Sequence, residues 1–307
     1  MKNVPGPDFL CIGAIKSGTG WLWANLRAHP DVWMPPIKEL RYFDEPQTNL
    51  RARLMLRDEG RDDYDYSYWR RKLNEFLHNW RGWVQPRHVW WHLRYFFGRR
   101  NPRWYASLFA PAAAGQVAGE ATPLYAPMPE ERIAFAARHF PHLKLVYLLR
   151  DPIERAWSHV LMRCLDLPEV DRDADKVTKD VVRHAVRKRG LNDDWFFQNG
   201  RYADNLRRWQ RHFSSEQILV CFHEELKRNA VGLLRRVLRF LGKSRFNEID
   251  RALIRKRFNP RPVDLEIPPA IETFFARRLI DDLRVLAGRV GSPATAWLAG
   301  AQHACAR

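Results

Sequence analysis

Apolar and polar positions change period several times along the chain. Residues 9–15 form a short apolar run, too short for a helix, and read as a buried strand. Residues 16–20 are polar and contain two glycines, the mark of a tight turn. From 21 to 28 the spacing turns helical and stops before His29-Pro30, because a residue preceding proline avoids the α region. Strand, turn and helix in that order form the first unit of a parallel α/β sheet. After residue 105 the alternation resumes. A strand is predicted at 116–119, a helix at 129–140 and the clearest buried strand at 143–149. Pro152 then opens a helix from its N1 position. One helix is predicted over 194–213, a strand over 218–222 and a helix over 224–241 that stops at Gly242. The last predicted helix runs from 269 to about 287, and 165–193 reads as helix or loop.

Residues 46–105 break this pattern. Between Arg70 and Trp104 lie nine Lys/Arg, five tryptophans and one acid, Glu75. That composition predicts a mainly helical, basic and aromatic insertion. The expected organisation is one domain over 1–307 carrying this insertion at about 46–105, and 307 residues are enough for a sizeable core. A content of 46% hydrophobic residues excludes wholesale disorder. The net charge of +17 attracts polyanions: nucleotides, nucleic acid, acidic glycans or an anionic membrane surface. No familiar nucleic-acid-binding motif is present, so no nucleic-acid partner is expected. Cys11, Cys164, Cys221 and Cys305 are scattered, without a C-x-x-C pair. The 9–15 run falls far short of the ~20 residues of a membrane span and lacks a basic leader. These features predict a cytoplasmic protein with reduced thiols.

Two places carry candidate chemistry. The run Gly13-Ala14-Ile15-Lys16-Ser17-Gly18-Thr19-Gly20 lies between strand and helix. The helix N-terminus offers N–H groups and a positive dipole end, and Lys16, Ser17 and Thr19 add charge and hydroxyls, so the turn suits a phosphate or sulfonate. An ordinary βα turn is the alternative. The order differs from the P-loop G-x-x-x-x-G-K-[ST], since Lys16 precedes the second glycine of the run. The second place is Arg150, delivered at the C-terminal end of a buried strand, with Ser158 in the second turn of the helix that follows. Such a pair can hold one phosphate. Pairing of Arg150 with Asp151 or Glu154 is the alternative.

Together these residues resemble the sulfotransferases that use 3′-phosphoadenosine 5′-phosphosulfate (PAPS). The turn resembles their 5′-phosphosulfate loop, and Arg150 with Ser158 resembles their 3′-phosphate site. Glu39, in Pro36-Ile-Lys-Glu39-Leu-Arg-Tyr-Phe43, resembles the acidic position of the branch acting on glycans and related acceptors. Gly119-Glu120-Ala121-Thr122-Pro123-Leu124-Tyr125 is similar to that branch's Gly-Glu-Lys-Thr-Pro-x-Tyr, with Ala121 in place of the lysine. Gly200-Arg201-Tyr202 resembles its Gly-x-Tyr helix, and Arg257 and Arg261 stand where its basic C-terminal loop is expected.

The resemblance implies an α/β, P-loop-like three-layer fold with a central parallel sheet. It implies a metal-independent enzyme with PAPS as donor and PAP as product. Lys16 and Glu39 would be catalytic, Lys16 neutralising the leaving phosphate and Glu39 acting as general base in an in-line transfer. Lys16, Ser17, Gly18, Thr19, Gly20, Trp21, Arg150, Ser158, Tyr202, Arg257 and Arg261 would bind the nucleotide. Glu39, Glu120, Thr122 and Tyr125 would face the acceptor, a hydroxyl or amine of a carbohydrate, lipid-linked or small-molecule substrate. The rival readings are a Mg-dependent P-loop kinase or NTPase, and a noncatalytic polyanion-binding protein. His88 and His92 have an i, i+4 spacing but no third partner nearby, so a metal site is not expected. The aromatics Trp80, Trp83, Trp90, Trp91, Tyr95 and Phe96 read as a helix-packing face, with a sugar platform or a peripheral membrane contact as the alternative.

Overall fold

The computed structural model describes residues 6–44, 71–78, 86–165, 194–246, 250–256 and 265–307. The strands are β1 (Phe9–Gly13), β2 (Val32–Trp33), β3 (Val117–Ala121), β4 (Lys144–Leu149) and β5 (Ile218–Phe222). They form one all-parallel sheet in the order β2-β3-β1-β4-β5. The helices are α1 (Thr19–Ala28), α2 (Pro86–Phe97), α3 (Pro102–Ser107), α4 (Glu130–His139), α5 (Pro152–Leu165) and α6 (Asp194–Gln198). After them come α7 (Tyr202–Gln210), α8 (His223–Phe240), α9 (Arg251–Arg255), α10 (Pro269–Val290) and α11 (Ala294–Ala306).

Strand alternation sorts the core into two layers. Phe9 and Cys11 of β1, with Val146 and Leu148 of β4, face Trp21, Leu22 and Leu26 of α1 and Leu233, Leu234 and Val237 of α8. Leu10 and Ile12, with Leu145, Tyr147 and Leu149, face the opposite layer, where α4, α5, α7 and α10 pack. Parallel strands covered on both faces read as unbroken apolar runs, which is why β1 and β4 were visible in the sequence. Cys11 and Cys221 are buried, and burial pushes their thiols up to about 12 and about 11.

Three elements differ from the sequence pattern. The helix predicted over 194–213 is two helices, broken at Asn199 and Gly200. A Cβ at Gly200 would stand 3.1 Å from Leu279 of α10, so the missing side chain lets α10 approach closely. Asp282 of α10 then caps α7, accepting from the Ala203 and Asp204 amides at 3.0 Å each. This cap lies 79 positions from Ala203 in the sequence and leaves no local signal. β2 has two residues, too few for any period. The helix at 269 is also not the last. α11 follows and packs back on α10, where Thr273 Oγ1 donates to the Ala304 carbonyl at 2.9 Å.

Within the insertion the described residues are helical at 71–78, in α2 and in α3. Trp91, Tyr95 and Phe96 are buried as a packing face, whereas Trp90 is 78% exposed. Trp80 and Trp83 lie outside the described residues. His92 Nδ1 donates to the His88 carbonyl at 2.8 Å, the backbone four residues earlier. Among the described residues, no group of three or more His, Cys, Asp and Glu side chains is placed to hold a metal ion.

Candidate active site

The chain leaves the C-terminal edge of the sheet at β1, β3, β4 and β5, and each exit delivers residues to one crevice. In such sheets the edge where the strand order reverses is the ligand-binding edge. Here the reversal occurs at β1, which has β3 on one side and β4 on the other.

At the end of β1 the turn is pinned to β4 by the Ala14 amide, which donates to the Leu148 carbonyl at 2.7 Å. Lys16 is held at φ 65° and Gly18 at φ 102°, both left-handed. A Cβ at Gly18 would stand 2.9 Å from Leu226 and 3.3 Å from Leu148, so the turn lies against α8 and β4. No side chain caps α1. The amides of its first turn, Thr19, Gly20 and Trp21, have no intrahelical acceptor by geometry. Ser17 is fully buried and its Oγ makes no hydrogen bond of normal geometry. The Tyr202 phenol is close enough for that hydroxyl to draw its pKa down, though burial raises the phenol overall.

At the end of β4, Arg150 is buried. Its Nη2 and Nε donate to Glu154 at 2.8 and 3.2 Å, and Nη1 donates to the Lys16 carbonyl at 3.3 Å. The pairing with Glu154 and the contact with the turn therefore coexist. Tyr202 supports this residue from behind, donating from its hydroxyl to the Arg150 carbonyl at 2.9 Å. Asp151 caps α5, accepting from the Ile153 and Glu154 amides at 2.8 and 3.2 Å, and burial raises its carboxyl to about 6. Ser158 is buried on the same helix, two turns in.

The end of β5 adds a residue that the motifs did not single out. His223 Nδ1 donates to the Ser17 carbonyl at 3.2 Å. Burial, aided by the nearby Arg150 and Lys227 charges, lowers its pKa to about 4, so the ring is neutral. A histidine directly after an apolar strand at this edge was the available signal.

Glu39 belongs to a loop laid across the end of β3. Its amide donates to the Ala121 carbonyl at 3.2 Å, and its carboxylate accepts from Lys38 Nζ at 2.5 Å. Glu39 and Arg41 are both held at positive φ, 63° and 55°. Such backbone persists only where the surroundings hold it. The holding group is Glu120, which is 1% exposed. Its carboxylate accepts from the Leu40 amide at 3.1 Å, Thr122 Oγ1 at 2.7 Å, Tyr105 Oη at 2.5 Å and Tyr125 Oη at 2.8 Å. Burial raises this carboxyl, and the four donors oppose that rise. The Tyr42 amide donates to Tyr125 Oη at 2.9 Å, and Arg100 donates to the Leu40 and Arg41 carbonyls at 3.2 and 2.5 Å.

Lys16 to Trp21, Arg150, Tyr202 and Glu39 thus come together at one sheet edge, and Ser158 is buried on the helix that leaves it. Glu120, Thr122 and Tyr125 lie beneath the Glu39 loop with their polar atoms bonded to it. Arg257 and Arg261 lie outside the described residues.

The solved sulfotransferase from Alicyclobacillus acidocaldarius has the same fold, with a TM-score of 0.61 at 22% identity, covering 95% of this chain and 98% of that one. Among curated relatives, the mouse heparan sulfate glucosamine 3-O-sulfotransferase 3B1 is 32% identical over 49% of this chain and 38% of its own length. The mouse carbohydrate sulfotransferase 15 is 26% identical over 86% of this chain and 49% of its own length. The chain thus spans less than half the length of these relatives. They are Golgi membrane enzymes, which overturns the cytoplasmic assignment. That assignment rested on the lack of a span and on unpaired cysteines. Among the described residues no helix is long and apolar enough to cross a membrane, and this does not specify a compartment. With the sulfotransferase family model matching residues 7–248 and the parallel sheet delivering these residues to one edge, the chain belongs to the sulfotransferase family.

Proposed function

We propose that the enzyme moves a sulfuryl group from PAPS to a hydroxyl or amine of a carbohydrate acceptor. The observation that carries this reading is the shared sheet edge, where an uncapped, cation-rimmed turn and a braced carboxylate loop leave neighbouring strands. The turn fits a phosphorylated nucleotide: the Ser17 hydroxyl is buried without a partner of normal geometry, and the first turn of α1 is uncapped. When bound, the donor supplies the sulfuryl group and a bisphosphate leaving group.

The protein's contribution is positioning and charge, as in phosphoryl transfer. The amides of Thr19 to Trp21 and the Ser17 hydroxyl hold the 5′-phosphate. Lys16 places its ammonium against the charge that grows there. Arg150 and Ser158 hold the 3′-phosphate, and Tyr202 fixes the Arg150 backbone. Glu39 accepts the proton of the attacking hydroxyl or amine. Glu120, Thr122 and Tyr125 act on the acceptor through the loop they brace. Lys38 supplies the acceptor-side cation in place of the lysine that the family carries at Ala121. Lys38 stands beside Glu39, to which its ammonium donates, and the Glu39 amide donates to the Ala121 carbonyl at 3.2 Å, so this lysine belongs to the loop at the end of β3. The names of the heparan and carbohydrate relatives support a carbohydrate acceptor.

Thermal unfolding with PAP, AMP, or ATP plus Mg²⁺ tests the donor. A ligand that binds only the folded state stabilises it as its concentration passes Kd. PAP is expected to raise the midpoint well above AMP. Arg150→Ala should weaken PAP by about ten- to a hundredfold, the scale of one charge-assisted contact. A shift with ATP and Mg²⁺ but none with PAP would replace this reading with a kinase.

A further inference from the structure

Residues 71–78 and α2 hold three of the four large hydrophobic side chains exposed among the described residues. These are Leu77 at 52%, Trp90 at 78% and Phe97 at 47%. Trp90, Arg94 and Phe97 are spaced i, i+4, i+7 and therefore share one face of α2. The opposite face is anchored. Trp91 Nε1 donates to the Leu108 carbonyl at 2.8 Å, and Trp91 stacks on Tyr95 with ring centroids 5.3 Å apart. The segment at 71–78 lies alongside, because Phe76 stacks on His92 at 5.2 Å. The exposed stripe is thus the outer surface of a packed element, not an unfolded end.

Its charge is one-sided. From Phe76 to Gly119 the sequence contains six arginines and no acidic residue. Arg94, Arg99 and Arg103 are exposed. The nearest acid in the described segment, Glu75, lies 2.7 Å from Lys72 and 3.9 Å from Arg71. Cations alone suit any polyanion. A glycan polyanion can stack a sugar face on one exposed indole, but it offers no apolar phase that takes up an indole, a phenyl ring and a leucine together. A bilayer with anionic headgroups offers both, since aromatic side chains seat at the headgroup boundary while arginines reach lipid phosphates.

We propose that α2, with residues 71–78, is an interfacial platform that seats the enzyme on an anionic lipid bilayer. Leu77, Trp90 and Phe97 enter the headgroup boundary, and Arg94, Arg99 and Arg103 contact the phosphates. Reversible attachment needs both signals, since one shallow apolar contact is weak alone. The platform is independent of the donor chemistry and stands or falls separately from it.

Sedimentation of the full chain with phosphatidylglycerol–phosphatidylcholine vesicles, against phosphatidylcholine alone, tests this. Binding to the anionic vesicles is expected, with tryptophan emission quenched by lipids brominated on the acyl chain. The double substitution Trp90→Ser with Phe97→Ser should weaken partitioning by about tenfold and remove most of the quenching. Arg99→Gln with Arg103→Gln should weaken partitioning without removing the quenching of what remains bound. The PAP-induced thermal shift should stay unchanged in both, which shows that each variant is folded. Absence of vesicle binding would overturn the proposal. So would unchanged partitioning in the Trp90/Phe97 variant, because binding would then be general attraction to a +17 protein. Loss of heparin binding in that variant with vesicle binding intact would overturn it in favour of a glycan platform.

Discussion

The two sides of the crevice are built by different means. The 5′-phosphate turn on the donor side is local. Residues 14–21 are contiguous, their binding groups are largely backbone amides, and β1 and α1 fix them directly. The acceptor side is remote. The loop carrying Glu39 is held by Glu120, Tyr125 and Arg100, which lie 80, 83 and 60 positions from their backbone partners. A turn built on backbone tolerates side-chain change and loses mainly affinity. A loop braced by one buried carboxylate couples geometry, and so turnover, to stability.

The contrast is broken most sharply at Glu39. Glu39→Gln should lower turnover by about 10²–10⁴-fold, the usual worth of a positioned base. PAP affinity, measured by calorimetry, should stay within about twofold of wild type, because the donor half does not use this side chain. Normal turnover would remove Glu39 from the chemistry.

Glu120→Gln tests the brace. The amide replaces one acceptor oxygen with an NH2 that donates, facing groups that also donate, so the variant should lose about 1–3 kcal/mol of stability. Turnover should fall while PAP affinity holds, and Glu120→Asp should recover part of the turnover. If PAP affinity collapsed instead, with turnover at saturation intact, the division between the halves would be wrong.

His223 gives the smallest effect and sharpens the donor side. Its folded pKa is lowered from 6.5 to about 4, so the stability it confers is complete above pH 6.5 and is lost as pH falls toward 4. Asp151 acts oppositely. Its pKa is raised from 3.8 to about 6, so its contribution is complete below 3.8 and is lost as pH rises through 6. The two offset each other between pH 4 and 6.5. In His223→Asn the histidine's contribution is gone, so the stability of the variant relative to wild type, read from its melting temperature, should rise as pH falls through that window, by about 1–2 kcal/mol. Parallel profiles would show that His223 is not held neutral against the turn.

The same contrast explains what was legible in the sequence. β1 and β4 could be read because buried parallel strands are unbroken apolar runs, the half-buried edge strand β5 because its five residues are all apolar, and the turn and Arg150 because each motif is continuous. Glu120, Thr122 and Tyr125 were singled out by resemblance, but as acceptor contacts. Their inward orientation depends on Tyr105 and on the Leu40 and Tyr42 amides, which no local pattern links to them. The break between α6 and α7 was hidden for the same reason, since the cap on α7 comes from Asp282. His223 escaped because a single histidine after a strand carries no spacing to recognise.

The α10–α11 hairpin sets a limit on how the domain can be divided. It begins at Pro269, beyond residue 248 where the family match ends. Yet Asp282 caps the helix bearing Tyr202, and Trp297 donates to Glu224 at 3.0 Å, beside His223. Trp297 also packs on Phe222 and Tyr202. A fragment ending at the matched span would retain the turn, Arg150, Ser158 and Tyr202 but lose the wall behind Tyr202 and His223. The unit that evolution or an engineer can move between proteins intact therefore extends through this hairpin.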